Sequence, residues 1–193
     1  MRVAFDPGPA DPEALRAGFA GIASEYGMRW SLRSRDKPRK VLLLMGCVQP
    51  GMMPNINSAT ARVLDAAGIQ TIVADEAGCC GAIRTHLNDR EGGLGDMRGN
   101  IDAWWPLVSA NAVEAIVMNA SGCGATVKDY GHALALDPVY AAKAKRISEL
   151  TRDLSELLPD LVPRLKPMLR LKGVATQLAY HPPCTLQHGQ QLR

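Results

Sequence analysis

Five cysteines carry the clearest chemical signal in the chain: Cys47, Cys79, Cys80, Cys123 and Cys184. Thiols serve as metal ligands, as redox pairs or as small buried packing groups. An odd number of them, with no export signal at the N-terminus, argues against a disulfide framework. Cys47 and Cys79 have 31 residues between them, Cys80 and Cys123 have 42, and Cys123 and Cys184 have 60. Two close CxxC pairs, the familiar zinc arrangement, are missing, and a vicinal Cys79-Cys80 pair between distant partners is a poor zinc template. Gly46, Gly78, Gly81, Gly122 and Gly124 flank the thiols, so the backbone can approach a bulky inorganic group closely. Four or five thiolates suit an iron–sulfur cluster or zinc, and this spacing favours iron–sulfur. Redox thiols and unrelated buried cysteines are the alternatives.

Such distant thiols need a scaffold that gathers them. The apolar run at 40–45 is too short for a helix and reads as a buried strand. Helical spacing follows over 57–67, with Gly68 as its stop, then a second strand at 69–74. A glycine-rich stretch leads to a helix over about 96–110 that Pro106 kinks or ends. A third strand is expected at 115–118, with a helix opening just after it through 126–130. Helices at 138–150 and 151–158, the latter ended by Pro159, precede a fourth strand at 173–180. The class is therefore α/β, a mostly parallel sheet flanked by helices. The cysteines fall in the segments following the strands, at their C-terminal ends, which is the edge where such sheets bind ligands. Helices opening beside these loops present free N–H groups that favour thiolates.

Composition removes other classes. The chain has 193 residues, 47% hydrophobic and 21% charged, which suits a globular domain rather than a disordered segment. A net charge of +3 is too small to argue for nucleic acid or an anionic membrane surface, and no nucleic-acid partner is expected. No apolar run approaches the roughly 20 residues of a membrane span, so no transmembrane segment is expected. With no apolar signal region after Met1, the expected compartment is the cytoplasm. Residues 1–40 read as an N-terminal helix, capped by Asp11, followed by a basic, proline-containing linker.

The blocks GCVQP at 46–50, AGCCGAIRTHLND at 77–89, NIDAWW at 100–105, SGCGATVKDYGH at 121–132 and YHPPCTLQHGQ at 180–190 occur in that order. Over residues 41–193 they resemble the glycolate oxidase iron–sulfur subunits and, more broadly, the cysteine-rich CCG domains shared with the heterodisulfide reductases. The resemblance implies a first CCG domain at 41–172 and the beginning of a second, truncated one at 173–193. The ferredoxin-like domain usual in the family, with its CxxCxxCxxxCP runs, has no counterpart here. Cys47, Cys79, Cys80 and Cys123 match the first motif, and Cys184 matches the first cysteine of the second. Thr126 stands where the family's CxxC ending places its second cysteine.

Carried over, the resemblance implies an iron–sulfur cluster of the 4Fe-4S type held by these five residues as cofactor and metal ligands. It implies flavin-containing glycolate oxidase subunits as partners and a quinone or membrane electron acceptor reached through the complex. A peripheral place at the inner membrane is the corresponding expectation. The chain itself would be a non-catalytic subunit of an oxidoreductase complex. A heterodisulfide reductase-like thiol chemistry and a non-redox docking module are the competing readings. Among other residues, His181 and His86 read as neighbours of the cluster or as packing and capping groups. Arg84 reads as a charge balance for the cluster or as half of a surface ion pair. Asn88–Arg90 read as a turn and Trp104-Trp105 as core or interface. No Ser/His/Asp series, Walker motif, GxGxxG or paired catalytic carboxylates are present.

Overall fold

The computed structural model describes residues 37–169 and 179–192. Its centre is a four-stranded parallel sheet: β1 (Arg39–Leu43), β2 (Ile69–Ile72), β3 (Ala115–Met118) and β4 (Thr151–Asp153), in the order β2-β1-β3-β4. The register pairs Arg39 with Ile69 and Leu42 with Ile72, Val41 with Ala115 and Leu43 with Val117, and Ile116 with Thr151. Alternate side chains of β1 face opposite ways, and both sets are buried. Leu42 and Leu44 enter one core, Val41 and Leu43 the other. This is why the first strand reads as an unbroken apolar run rather than an alternating one.

Eight α-helices flank the sheet among the described residues: α1 (Gln49–Met52), α2 (Pro54–Ala66), α3 (Ala82–His86), α4 (Arg90–Ser109), α5 (Ser121–Lys128), α6 (Tyr130–Ala133), α7 (Ala141–Leu150) and, after β4, α8 (Leu154–Leu165). One face is covered by α2 and α8, through Leu64, Ala67 and Leu161. The other is covered by α4 to α7, through Met97, Ile101, Trp104, Val127, Tyr130, Leu134, Ala144 and Ile147. The crossover from β1 to β2 thus runs over one face, and those from β2 to β3 and from β3 to β4 run over the other. Opposite directions on opposite faces keep the crossovers of one hand.

Three expectations are corrected. Residues 151–153 are not the start of a helix but the fourth strand. Its sequence, Thr-Arg-Asp, is polar, and its buried groups are satisfied locally. The Thr151 hydroxyl donates to the Ile147 carbonyl at 2.8 Å, and the Asp153 carboxylate caps α8 by accepting from the Ser155 N–H at 2.9 Å. Glu156 completes a capping box by accepting from the Asp153 N–H.

Pro159 does not end the next helix, which contains both Pro159 and Pro163. Leu154, Leu157, Leu161 and Leu165 form one apolar stripe against the sheet. Its burial outweighs the backbone hydrogen bonds that the prolines remove.

The helix expected from residue 96 begins at Arg90, continues past Pro106 and takes in the glycine-rich stretch. Asp89 caps it, accepting from the Gly92 N–H at 3.0 Å. A glycine is needed at 93 because a Cβ there would lie 2.3 Å from the Thr85 hydroxyl. The expected fourth strand lies largely outside the described residues; 179 and 180, which are described, are not in a strand. The helix expected after Asp11 also lies outside them.

Candidate metal centre

The strand order decides where the thiols meet. Adjacent strands β1 and β3 send the chain to opposite faces, which opens a crevice at their carboxyl ends. Cys47 follows β1 just after Gly46, whose φ of +74° turns the chain out of the sheet. Cys79 and Cys80 lie in an irregular loop between β2 and α3, and Cys123 lies in the first turn of α5 after β3. A polar network ties the β1 and β3 ends together. The Asn57 amide donates to the Met45 carbonyl at 3.0 Å, and the Asn119 amide donates to Asn57 Oδ1 at 2.8 Å and to the Thr60 hydroxyl at 2.9 Å.

Four thiols converge as two pairs. Cys47 Sγ and Cys79 Sγ are 3.6 Å apart. Cys80 and Cys123 share a thiol–thiolate hydrogen bond, which draws the Cys80 pKa down to about 6 against the opposing effect of burial. The Ala82 N–H, aimed at the Cys80 sulfur, adds to the lowering. The same bond, together with burial and the charge on Cys80, pushes Cys123 far above the ordinary thiol range. Burial pushes Cys79 up to about 11, opposed by an N–H from Gly81. Cys80 is buried, Cys79 and Cys123 are half-buried and Cys47 is exposed.

Cys184 is exposed at the rim. It precedes a π-helical turn, Thr185–Gly189, that packs on α5. The Thr185 and Ser121 hydroxyls are 2.7 Å apart, and the Gln190 amide donates to the Ser121 carbonyl at 3.0 Å. Cys184 therefore stands beside the turn that holds Cys123, outside the group formed by the other four.

Other residues singled out in the sequence take plainer roles. Arg84 forms ion pairs with Asp89 at 3.1 Å and with Asp96 at 3.3 Å. His86, His132, His181 and His188 are exposed, Trp104 is core, and Asn88 turns the chain at φ +66°. Thr126 donates to the Gly122 carbonyl at 3.0 Å within α5.

Two residues were not singled out in the sequence. Asn100 and Tyr130 are fully buried against the main chain of the cysteine loop. The available signal was an amide on the buried stripe of α4, between Met97 and Ile101. An open cleft of about 530 Å3 lies on the side of α2 and α8, lined by Thr60, Val63, Asn119, Asp153 and Leu158, and no cysteine lines it.

The donor set is all sulfur. Among the described residues, no three Cys, His, Asp or Glu side chains are placed to ligate one metal ion. The site offers soft donors in two pairs rather than one tetrahedron.

Residues 41–128, which contain four of the five cysteines, match the cysteine-rich domain family designated CCG. The chain is 50% identical over 186 residues to the glycolate oxidase iron-sulfur subunit of Escherichia coli (strain K12), covering 95% of this chain and 43% of that protein. It is 32% identical over 123 residues to the probable glycolate oxidase iron-sulfur subunit of Bacillus subtilis (strain 168), covering 64% of this chain and 27% of that one. Lactate utilization protein A of Bacillus pumilus (strain SAFR-032) is 30% identical over 146 residues, which cover 75% of this chain and 57% of that one. The chain thus spans less than half the length of the Escherichia coli and Bacillus subtilis relatives. No solved structure matches the chain.

Proposed function

We propose that this chain is an iron–sulfur electron-transfer component of a glycolate oxidase complex. In this reading it takes electrons from a flavin-bearing subunit that oxidises glycolate to glyoxylate and passes them towards a quinone-type acceptor. The observation that carries it is the meeting of four thiols from three strand ends in one crevice. The similarity to the Escherichia coli glycolate oxidase iron-sulfur subunit supports it. Cys47, Cys79, Cys80 and Cys123 are the proposed cluster ligands, with Cys184 joining from the rim. Residues 41–172 form the first CCG domain, and 173–193 open a second.

A bound cluster, of the 4Fe-4S type in this proposal, would supply one-electron transfer. The chain's own residues supply the rest. Thiolates bind iron, and the lowered pKa of Cys80 eases its deprotonation. The Gly81 and Ala82 N–H groups face the Cys79 and Cys80 sulfurs, where they stabilise negative charge. Burial of Cys80 keeps water from that side. No helix among the described residues is long and apolar enough to cross a membrane. Contact with an inner-membrane acceptor is therefore proposed as peripheral, made from the cytoplasmic side through the complex.

The decisive measurement is iron and acid-labile sulfide content, with paramagnetic resonance, on anaerobically purified protein beside a version carrying both CCG domains. Brown protein holding iron and sulfide, bleached on reduction, is the expected result. Stoichiometric zinc, or no iron in the two-domain form, would overturn the proposal. The 3.6 Å Cys47–Cys79 approach favours one second reading, heterodisulfide reductase-like exchange at the paired thiols. That reading requires donor-driven reduction of a disulfide substrate in the absence of any flavin subunit.

A further inference from the structure

We propose that Asn100 and Tyr130 are positioning residues of the thiol centre, which turn the peptide planes of the cysteine loop so that its N–H groups face the sulfurs. The inference rests on the cluster-binding reading for its electrochemical consequence and on the geometry alone for the rest. Residues 78–80 form neither strand nor helix, so neither sheet nor helix hydrogen bonding fixes their orientation. Two buried side chains do so instead. Asn100 accepts from the Gly78 N–H at 2.8 Å and donates to the Cys79 carbonyl at 2.7 Å. Its amide also donates to the Tyr130 hydroxyl at 3.1 Å, and that hydroxyl donates to the Cys80 carbonyl at 3.0 Å. Asn100 is 1% exposed and Tyr130 is fully buried.

The consequence follows from peptide geometry. The chain has no cis peptide among the described residues, and in a planar trans unit the carbonyl and the next N–H point in opposite directions. Holding the Cys80 carbonyl against Tyr130 aims the Gly81 N–H the other way, and that N–H is bonded to the Cys79 sulfur. Holding the Cys79 carbonyl against Asn100 likewise fixes the direction of the Cys80 N–H. The same anchoring lets two adjacent residues serve different partners, Cys79 with Cys47 and Cys80 with Cys123. A side chain that only filled the core would need neither the amide nor the hydroxyl at these positions.

The test compares wild type with Tyr130→Phe, which removes one oxygen, and Asn100→Leu, which keeps the approximate size. First, cluster-free protein is treated with limiting oxidised glutathione. Each exchange converts two protein thiols and one glutathione disulfide into a protein disulfide and two glutathione thiols. Peptide mapping by mass spectrometry then reads the pairing. Wild type should give Cys47–Cys79 and Cys80–Cys123, and the variants a mixture that includes Cys47–Cys80. Second, the midpoint potential of the reconstituted cluster is followed by paramagnetic resonance. It should fall in both variants, because lost N–H···S bonds destabilise the more negative reduced state.

Folded Tyr130→Phe protein with wild-type pairing and an unchanged potential would overturn the proposal, whatever becomes of Asn100→Leu. If wild type binds no iron, the cluster reading fails, and the pairing map alone decides the positioning role.

Discussion

At the scale of single residues, the site divides its four thiols unequally. Cys80 is buried, and its interaction with Cys123 draws its pKa down to about 6. Cys47 sits exposed at the entrance. Replacing the sulfur of Cys80 by oxygen removes a proposed ligand while nearly keeping its volume. Cys80→Ser protein should therefore remain folded by circular dichroism yet retain less than about a tenth of the wild-type iron after anaerobic reconstitution, a loss within the range seen when metal-site groups are changed. Thr126→Ala should reconstitute like wild type, because the Thr126 hydroxyl is committed to the Gly122 carbonyl inside α5. A large iron loss in Thr126→Ala would mean that this hydroxyl takes part in the centre despite that bond.

At the scale of elements, the loop between β2 and α3 is the most constrained. Gly81 has φ +89°, and a Cβ there would lie 2.6 Å from the Gly93 carbonyl oxygen of α4. Both the backbone conformation and the close approach exclude a side chain. Gly81→Ala should destabilise the protein by at least about 2 kcal/mol, read as a lower urea midpoint. The start of α8 offers a milder test. Asp153 caps it through the Ser155 N–H and also accepts from Gln190 at 3.3 Å, so Asp153→Ala should cost about 1–2 kcal/mol. A wild-type urea midpoint in Asp153→Ala would show that the capping box contributes nothing to holding β4 against α8.

At the scale of the whole molecule, the sheet separates two cores, each with its own helices. Leu64 is fully buried on the α2 and α8 side, Ile147 on the side of α4 to α7. Leu64→Ala should cost about 2–5 kcal/mol and Ile147→Val about 0.5–1.5 kcal/mol. Because the two share no neighbours across the sheet, the double variant should equal their sum to within about 0.5 kcal/mol. A larger coupling in urea denaturation would show that the faces do not respond independently. The same two-faced build creates the crevice. Were the connections after β1 and β3 to run over one face, the helix following β1 would close the gap that Cys47 and Cys123 occupy.

Much of this was legible along the chain. The apolar runs of β1 and β3 mark their own strands, because burial on both faces demands unbroken hydrophobic sequence. The thiols at 47, 79, 80 and 123, each with glycine nearby, suggest a soft-metal site in the sequence itself, because side-chain chemistry belongs to the residue. The strand at Thr151–Asp153 was not legible, since the partners of its polar groups, Ile147, Glu149, Ser155, Glu156 and Gln190 among them, are brought to it by the fold. Nor was the passage of α8 through two prolines, which depends on leucines meeting a sheet assembled elsewhere. Amino-acid types alone determined which atoms could bind a metal. Only the tertiary structure decided that four of them pair two by two while Cys184 stays at the rim, and that Asn100 and Tyr130 orient the loop between them. Distance and direction between remote residues arise when the sheet forms and are properties of no single segment.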